Sequence, residues 1–191
     1  GNLVQGNLIG TDPAGTATLG SATNGVVVQG DGNIIGGTDA GAGNVIAGAL
    51  FGIVVDLTPG KVVIQGNLIG TDADGTGVLL NVNAGIEVHG DSTVIGGAEP
   101  GAGNVIAGSS VGIDVSGEGT VIRGNRIGTN ASGTAALPNE IGVGVGSGTT
   151  DTEIGGLEDG AGNLISGNTG IGVLLKGAGE AVIQGNAIGI D

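Results

Sequence analysis

Residues 65–71 read Gln65-Gly66-Asn67-Leu68-Ile69-Gly70-Thr71, and the same seven residues stand at 5–11. Close copies follow at Arg123–Thr129 (RGNRIGT) and Gln184–Ile190 (QGNAIGI), giving offsets of 60, 58 and 61 residues. Other phrases keep this period. GAGN-(V/L)-I-(A/S)-G begins at Gly41, Gly101 and Gly160, and IGG begins at Ile35, Ile95 and Ile154. Self-similarity at a fixed long spacing is the mark of a solenoid or array.

A shorter period lies inside the long one. The run G-(V/I)-x-(V/L) starts at Gly25, Gly52, Gly85, Gly112, Gly142 and Gly172, spaced by 27, 33, 27, 30 and 30 residues, so each long repeat holds two coils. One coil is read as three short strands, Gly52–Val55, Val62–Gln65 and Asn67–Thr71. The next uses Gly85–Val88, Thr93–Gly96 and Asn104–Ala107. Coils alternate in where they carry extra residues: a long loop after the third strand at 71–84, then a short insert between second and third strands at 97–103. Repeats span about 5–64, 65–122 and 123–183, with a partial coil at 184–191, all within one domain over 1–191.

Composition supports strands and tight turns. Of 191 residues 47 are Gly, one is Phe (Phe51), and Trp, Tyr, Met and Cys are absent. The glycines lack the three-residue period of collagen and punctuate Val and Ile runs, which reads as many short strands joined by turns. The expected fold is all-β: a right-handed, single-stranded parallel β-helix of about six coils, two per repeat.

Side chains alternate across a strand. That parity points Ile64, Ile69, Ile86, Val88, Ile95, Ile106, Ile113, Val115, Ile122, Ile127 and Ile154 inward, where equivalent coil positions stack into aliphatic ladders. The Asn of each G-N-x-I falls at one corner: Asn7, Asn44, Asn67, Asn104, Asn125, Asn163 and Asn186. Buried turns must satisfy their backbone polar groups, and a column of stacked asparagines does so by passing hydrogen bonds from coil to coil.

These motifs resemble those of bacterial secreted and cell-surface right-handed β-helix repeat proteins, within the broad pectin-lyase-like group. The resemblance covers essentially the whole chain. It implies the fold, an extracellular or cell-surface location, and a group that mixes polysaccharide lyases, hydrolases and plain surface stalks. The near-identity of the repeats also fits a consensus-style or engineered sequence.

Net charge is −14, and the only cations are Lys61, Arg123, Arg126 and Lys176. No basic stripe exists to displace counterions from nucleic acid or to hold an anionic membrane. There is no long apolar run, so no membrane span is expected, and no cysteine for disulfides or thiolate metal sites. The chain starts inside a repeat and neither end carries an evident capping helix, so a longer parent with flanking domains, or end-to-end self-association, is the expectation.

Three side-chain groups are candidates for chemistry. The first outward column of the first strand runs Val27, Val54, Glu87, Asp114, Gly144, Leu174, which makes Glu87 and Asp114 neighbours, as paired carboxylates for a glycosidic bond or a cation require. In the resembled enzymes this face carries the substrate groove. The next column runs Gln29, Asp56, His89, Ser116, Gly146, Lys176, an Asp, His, Ser series that suggests a triad, although stacked parallel side chains are not expected to converge. The third group is the loop T-D-x-x-G-T at 11–16 and 71–76, with T-N-A-S-G-T at 129–134. Asp72 and Asp74 are weak calcium candidates there; the preferred reading makes Asp12, Asp72 and Asn130 caps of their own turns. The polygalacturonase-type N-T-D, D-D, G-H-G and R-I-K motifs are missing, and Arg123 and Arg126 fall outward on the second and third strands, where salt bridges to nearby acids are expected. The reading is therefore a non-catalytic scaffold segment without a cofactor, with a polysaccharide-active fragment or a weak calcium-binding adhesin module as alternatives.

Overall fold

A computed structural model of the chain describes residues 1–20, 23–57 and 60–190. It is an all-β solenoid of about six turns, with three parallel sheets and no helix among the described residues. The first sheet stacks six strands, Asn24–Val28, Phe51–Val55, Ala84–Val88, Val111–Val115, Ile141–Val145 and Ile171–Leu175. The second stacks seven, from Leu3–Val4 and Ile34–Gly36 to Ala181–Gln184, and the third seven two-residue strands, from Leu8–Ile9 to Ala187–Ile188. Every neighbour pairs in parallel, each strand with its equivalent one coil away. Seven strands at about 4.8 Å make a rod roughly 30 Å long.

The register places like on like. Ile64, Ile95 and Ile122 align in the second sheet, Ile69, Ile106 and Ile127 in the third, and Ile86 and Ile113 in the first. All of these, with Val88, Val115 and Ile154, are fully buried in one continuous aliphatic core. The interior is lined by Ile and Val, whose β-branched chains suit its pleated walls.

Between second and third strands the chain turns sharply at IGG. Gly96 sits at φ +81°, and a Cβ there would strike the carbonyl oxygen of Arg123 on the next coil. Only glycine reaches that conformation without strain. The neighbouring Gly97 lies under the Gln65 side chain, whose Nε2 donates to the Gly96 carbonyl at 3.1 Å.

The corner asparagines form the expected ladder. From Asn7 through Asn44, Asn67, Asn104, Asn125 and Asn163 to Asn186, each Nδ2 donates to the next residue's Oδ1 at 2.8–3.0 Å. Each Oδ1 also receives the backbone N–H of the preceding asparagine. The remaining amide hydrogen goes to backbone carbonyls such as Ile35, Ile64 and Ile95.

The 60-residue period has a structural cause. The loops at 11–18, 71–78 and 129–136 are small antiparallel excursions closed by Thr11–Thr18, Thr71–Val78 and Thr129–Ala136 bridges. Consecutive ones touch although two coils separate their strands: Ala73 N–H donates to Gly15 O at 2.9 Å and Ala131 N–H to Gly75 O at 2.8 Å. Each loop is two coils tall, so only every second coil carries one. Their glycines rest on outward leucines of the third sheet, Gly15 on Leu8 and Gly75 on Leu68, which gives that sheet a second apolar layer. Leu68 is partly buried beneath its loop, while Leu8 on the first coil stays exposed.

Arg126 occupies this same outward column between Val105 and Leu164. The salt bridge expected for it does not form among the described residues, because its column neighbours are apolar and its guanidinium lies beside Gly133. Arg123 does pair, with Glu153 on the next coil at 2.7 Å and with Glu158 of the third insert.

Candidate functional site: the acidic face of the first sheet

The outward columns of the first sheet stand as the sequence orders them. Val27, Val54, Glu87, Asp114, Gly144 and Leu174 occupy one register line. Glu87 and Asp114 are therefore neighbours on adjacent strands, Glu87 half-buried and Asp114 exposed. Gly144 leaves space over Asp114, since a Cβ there would lie 3.1 Å from Asp114 Oδ1. No aromatic ring flanks the pair for a sugar to stack on: Phe51, the chain's one aromatic, starts the neighbouring strand in a different register line.

The second column makes contacts that parallel projection does not lead one to expect. His89 Nδ1 lies 2.8 Å from Ser116 Oγ, and His89 Nε2 lies 3.5 Å from Glu87 Oε2. The carboxylate that meets the imidazole is Glu87, from the adjacent column, while Asp56 turns the other way to accept from Gln29 Nε2 at 2.8 Å. Two of the three side chains thus meet while Asp56 stays out, so the Asp, His, Ser series does not converge as one triad. Alternate residues of one strand share a face, so Glu87 and His89 are natural partners two positions apart.

Proton placement decides what this Ser–His–Glu line can do. Ser116 Oγ lies 3.0 Å from the Val88 carbonyl, which can only accept, so the hydroxyl hydrogen points there. Toward His89 the serine oxygen then accepts, and Nδ1–H donates. A general base needs the reverse, a lone pair aimed at the hydroxyl hydrogen. In this arrangement the contact ties one coil to the next.

The Asp56 carboxyl is held below the usual carboxylate range, first by the Gln29 hydrogen bond, then by the Leu57 N–H, with a smaller contribution from the charge of His89. Asp12 is lowered too, chiefly by the Thr16 N–H at 2.7 Å, with Ala17 N–H also bonded to it. Asp72 and Asn130 repeat that cap on Thr76 and Thr134. Both oxygens of Asp72 face Thr76, and Asp74 is exposed on the same loop. Among the described residues no three His, Asp or Glu side chains group closely enough to hold a metal ion. Depressions of about 310–390 Å³ occur beside the loops and inserts, lined largely by Gly, Thr and Ala, away from Glu87 and His89.

A second asparagine column escapes the motif reading. Asn81 Oδ1 accepts from Ala49 N–H, Asn139 Oδ1 from Ser109 N–H, and Asn168 Oδ1 from both N–H groups of Asn139, backbone and side chain. Their Nδ2 groups donate to the Ile46, Ile106 and Ile127 carbonyls. The available signal is an Asn three or four residues before the G-(V/I)-x-(V/L) runs at Gly85, Gly142 and Gly172; Ala49 and Ser109 take that place before Gly52 and Gly112 and hide it.

No helix among the described residues is long and apolar enough to cross a membrane. No family model, curated protein or solved structure matches the chain.

Proposed function

We propose that the chain is a non-catalytic spacer, a rigid segment of a secreted or cell-surface scaffold. The observation that carries this reading is the unbroken asparagine ladder from Asn7 to Asn186, which joins every coil to the next through both side chain and backbone. Hydrogen bonds directed along the axis, with an aliphatic core beside them, suit an element that sets a distance. Several polar groups of the outward face serve the same task, His89 with Ser116 and Gln29 with Asp56. Secretion and kinship with pectin-lyase-like repeat proteins rest on the sequence motifs. The edges of the terminal coils are templates for a further coil, whether of a longer chain or of a second copy.

One observation favours a second reading, a polysaccharide-active segment: Glu87 and Asp114 in register on an open face. Assays for uronide-lyase and glycosidase turnover separate the two. The spacer gives none; turnover that disappears in Glu87→Gln would overturn it.

A further inference from the structure

The loop at 129–134 differs from its two siblings in a chemically specific way. Where they carry Asp12 and Asp72 it has Asn130, and where they carry Ala14 and Asp74 it has Ser132. Together these changes create Asn130-Ala131-Ser132, the one Asn-x-Ser/Thr triplet in the sequence.

The structure separates this asparagine from the ladder asparagines. Those donate their Nδ2 hydrogens to the neighbouring coil and to buried carbonyls. Asn130 uses only its oxygen. Oδ1 accepts from Thr134 N–H at 2.9 Å, Ala135 N–H at 3.2 Å and the Ser132 hydroxyl at 3.1 Å, and no acceptor among the described residues engages Nδ2. The residue is part-exposed on a surface loop, with Ser132 exposed beside it. Substitution at Nδ2 leaves Oδ1 free to keep capping the turn, so a bulky group there costs the fold no hydrogen bond.

We infer that Asn130 is the acceptor of a single N-linked glycan, with Ser132 as the hydroxyl residue that the modifying enzyme reads. The donor is a lipid-linked oligosaccharide diphosphate. The Nδ2–C1 bond forms as the C1–O bond to the diphosphate breaks, the electron pair leaves with the diphosphate, and one amide proton passes to a base of the transferase. The product remains an amide whose carbonyl still accepts from Thr134. Only entry into a secretory compartment is borrowed from the reading above.

The test is translation of the full chain behind a cleavable secretion leader, in the presence of microsomes that carry an oligosaccharyl transferase. One endoglycosidase-sensitive shift is expected. Asn130→Asp, which restores the cap used at Asp12 and Asp72, and Ser132→Ala, which restores the residue found at Ala14, should each lose the shift and melt within a few degrees of the parent chain. No shift in the parent, or a shift that survives Asn130→Asp, overturns the assignment. Because leader and microsomes are supplied, that failure leaves the spacer reading untouched.

Discussion

Asn67 spends two donors on one atom of Asn104: its backbone N–H and its Nδ2–H both reach Asn104 Oδ1 at 2.9 Å. Asn104 in turn donates to the Ile64 carbonyl, and both residues are fully buried. Removing the Asn104 side chain therefore strands two donors and an acceptor where no water replaces them. An unsatisfied buried polar group costs roughly 1–3 kcal/mol. Asn104→Ala should lose about 4 kcal/mol in equilibrium denaturation, with a cavity term added. Asn7, at the exposed start of the ladder, strands only groups within reach of water, and Asn7→Ala should lose about 1 kcal/mol or less. Equal losses at the two positions would mean that the ladder does not hold the coils together.

Gly103 tests how closely those coils approach. A Cβ there would run into the carbonyl oxygen of Gly124 on the next coil. Nothing flexible can move aside, so Gly103→Ala should cost roughly 3 kcal/mol or prevent folding. Gly20 is the control. It sits at φ +88° with open space around its missing Cβ, so Gly20→Ala carries only the left-handed backbone penalty of about 1–2 kcal/mol. A thermal melt series in which Gly20→Ala loses more than Gly103→Ala would contradict this coil spacing.

The solenoid was legible because a repeat supplies its own alignment. Ile95 beside Ile64 and Ile122, or Glu87 beside Asp114, follows from superimposing coils, without any need to guess long-range topology. What failed were matters internal to no single repeat. Arg126 invited a salt bridge because its charge drew the reading, although the same superposition sets it between Val105 and Leu164. The His89–Ser116 contact depends on side-chain rotation, which period-two parity does not determine. At the candidate site, then, the residues that share a face were predictable, and the bonds among them were not.

Thr120 presents the opposite situation to Asn104. It is fully buried and its Oγ1 has no hydrogen-bond partner, as does Thr152 one coil on. The equivalent place two coils earlier is Val62, also fully buried, so the column accepts a second methyl in place of the hydroxyl. Thr120→Val removes an unpaired polar group at nearly constant volume and should stabilise the chain by about 1 kcal/mol. A loss of stability instead would show that the hydroxyl is bonded, most simply to an internal water.

Acid should weaken the fold through its turn caps. Asp12 and Asp56 are both lowered in the folded chain, the first chiefly by Thr16 N–H and the second by Gln29. A carboxyl with a depressed folded value binds its proton more readily when unfolded, so its contribution is complete above the ordinary Asp value of about 3.9 and is lost as pH falls through the folded value. Protonation also relieves repulsion in a chain of net charge −14, which works against this loss and reduces the visible slope. Asn130 shows that an amide caps the same turn without a titrating group. Asp12→Asn should accordingly fold and melt normally near pH 7, and should lose less of its Tm than the parent when both are taken to about pH 3. Identical acid losses in parent and variant would show that the Thr16 N–H does not hold the carboxylate in solution.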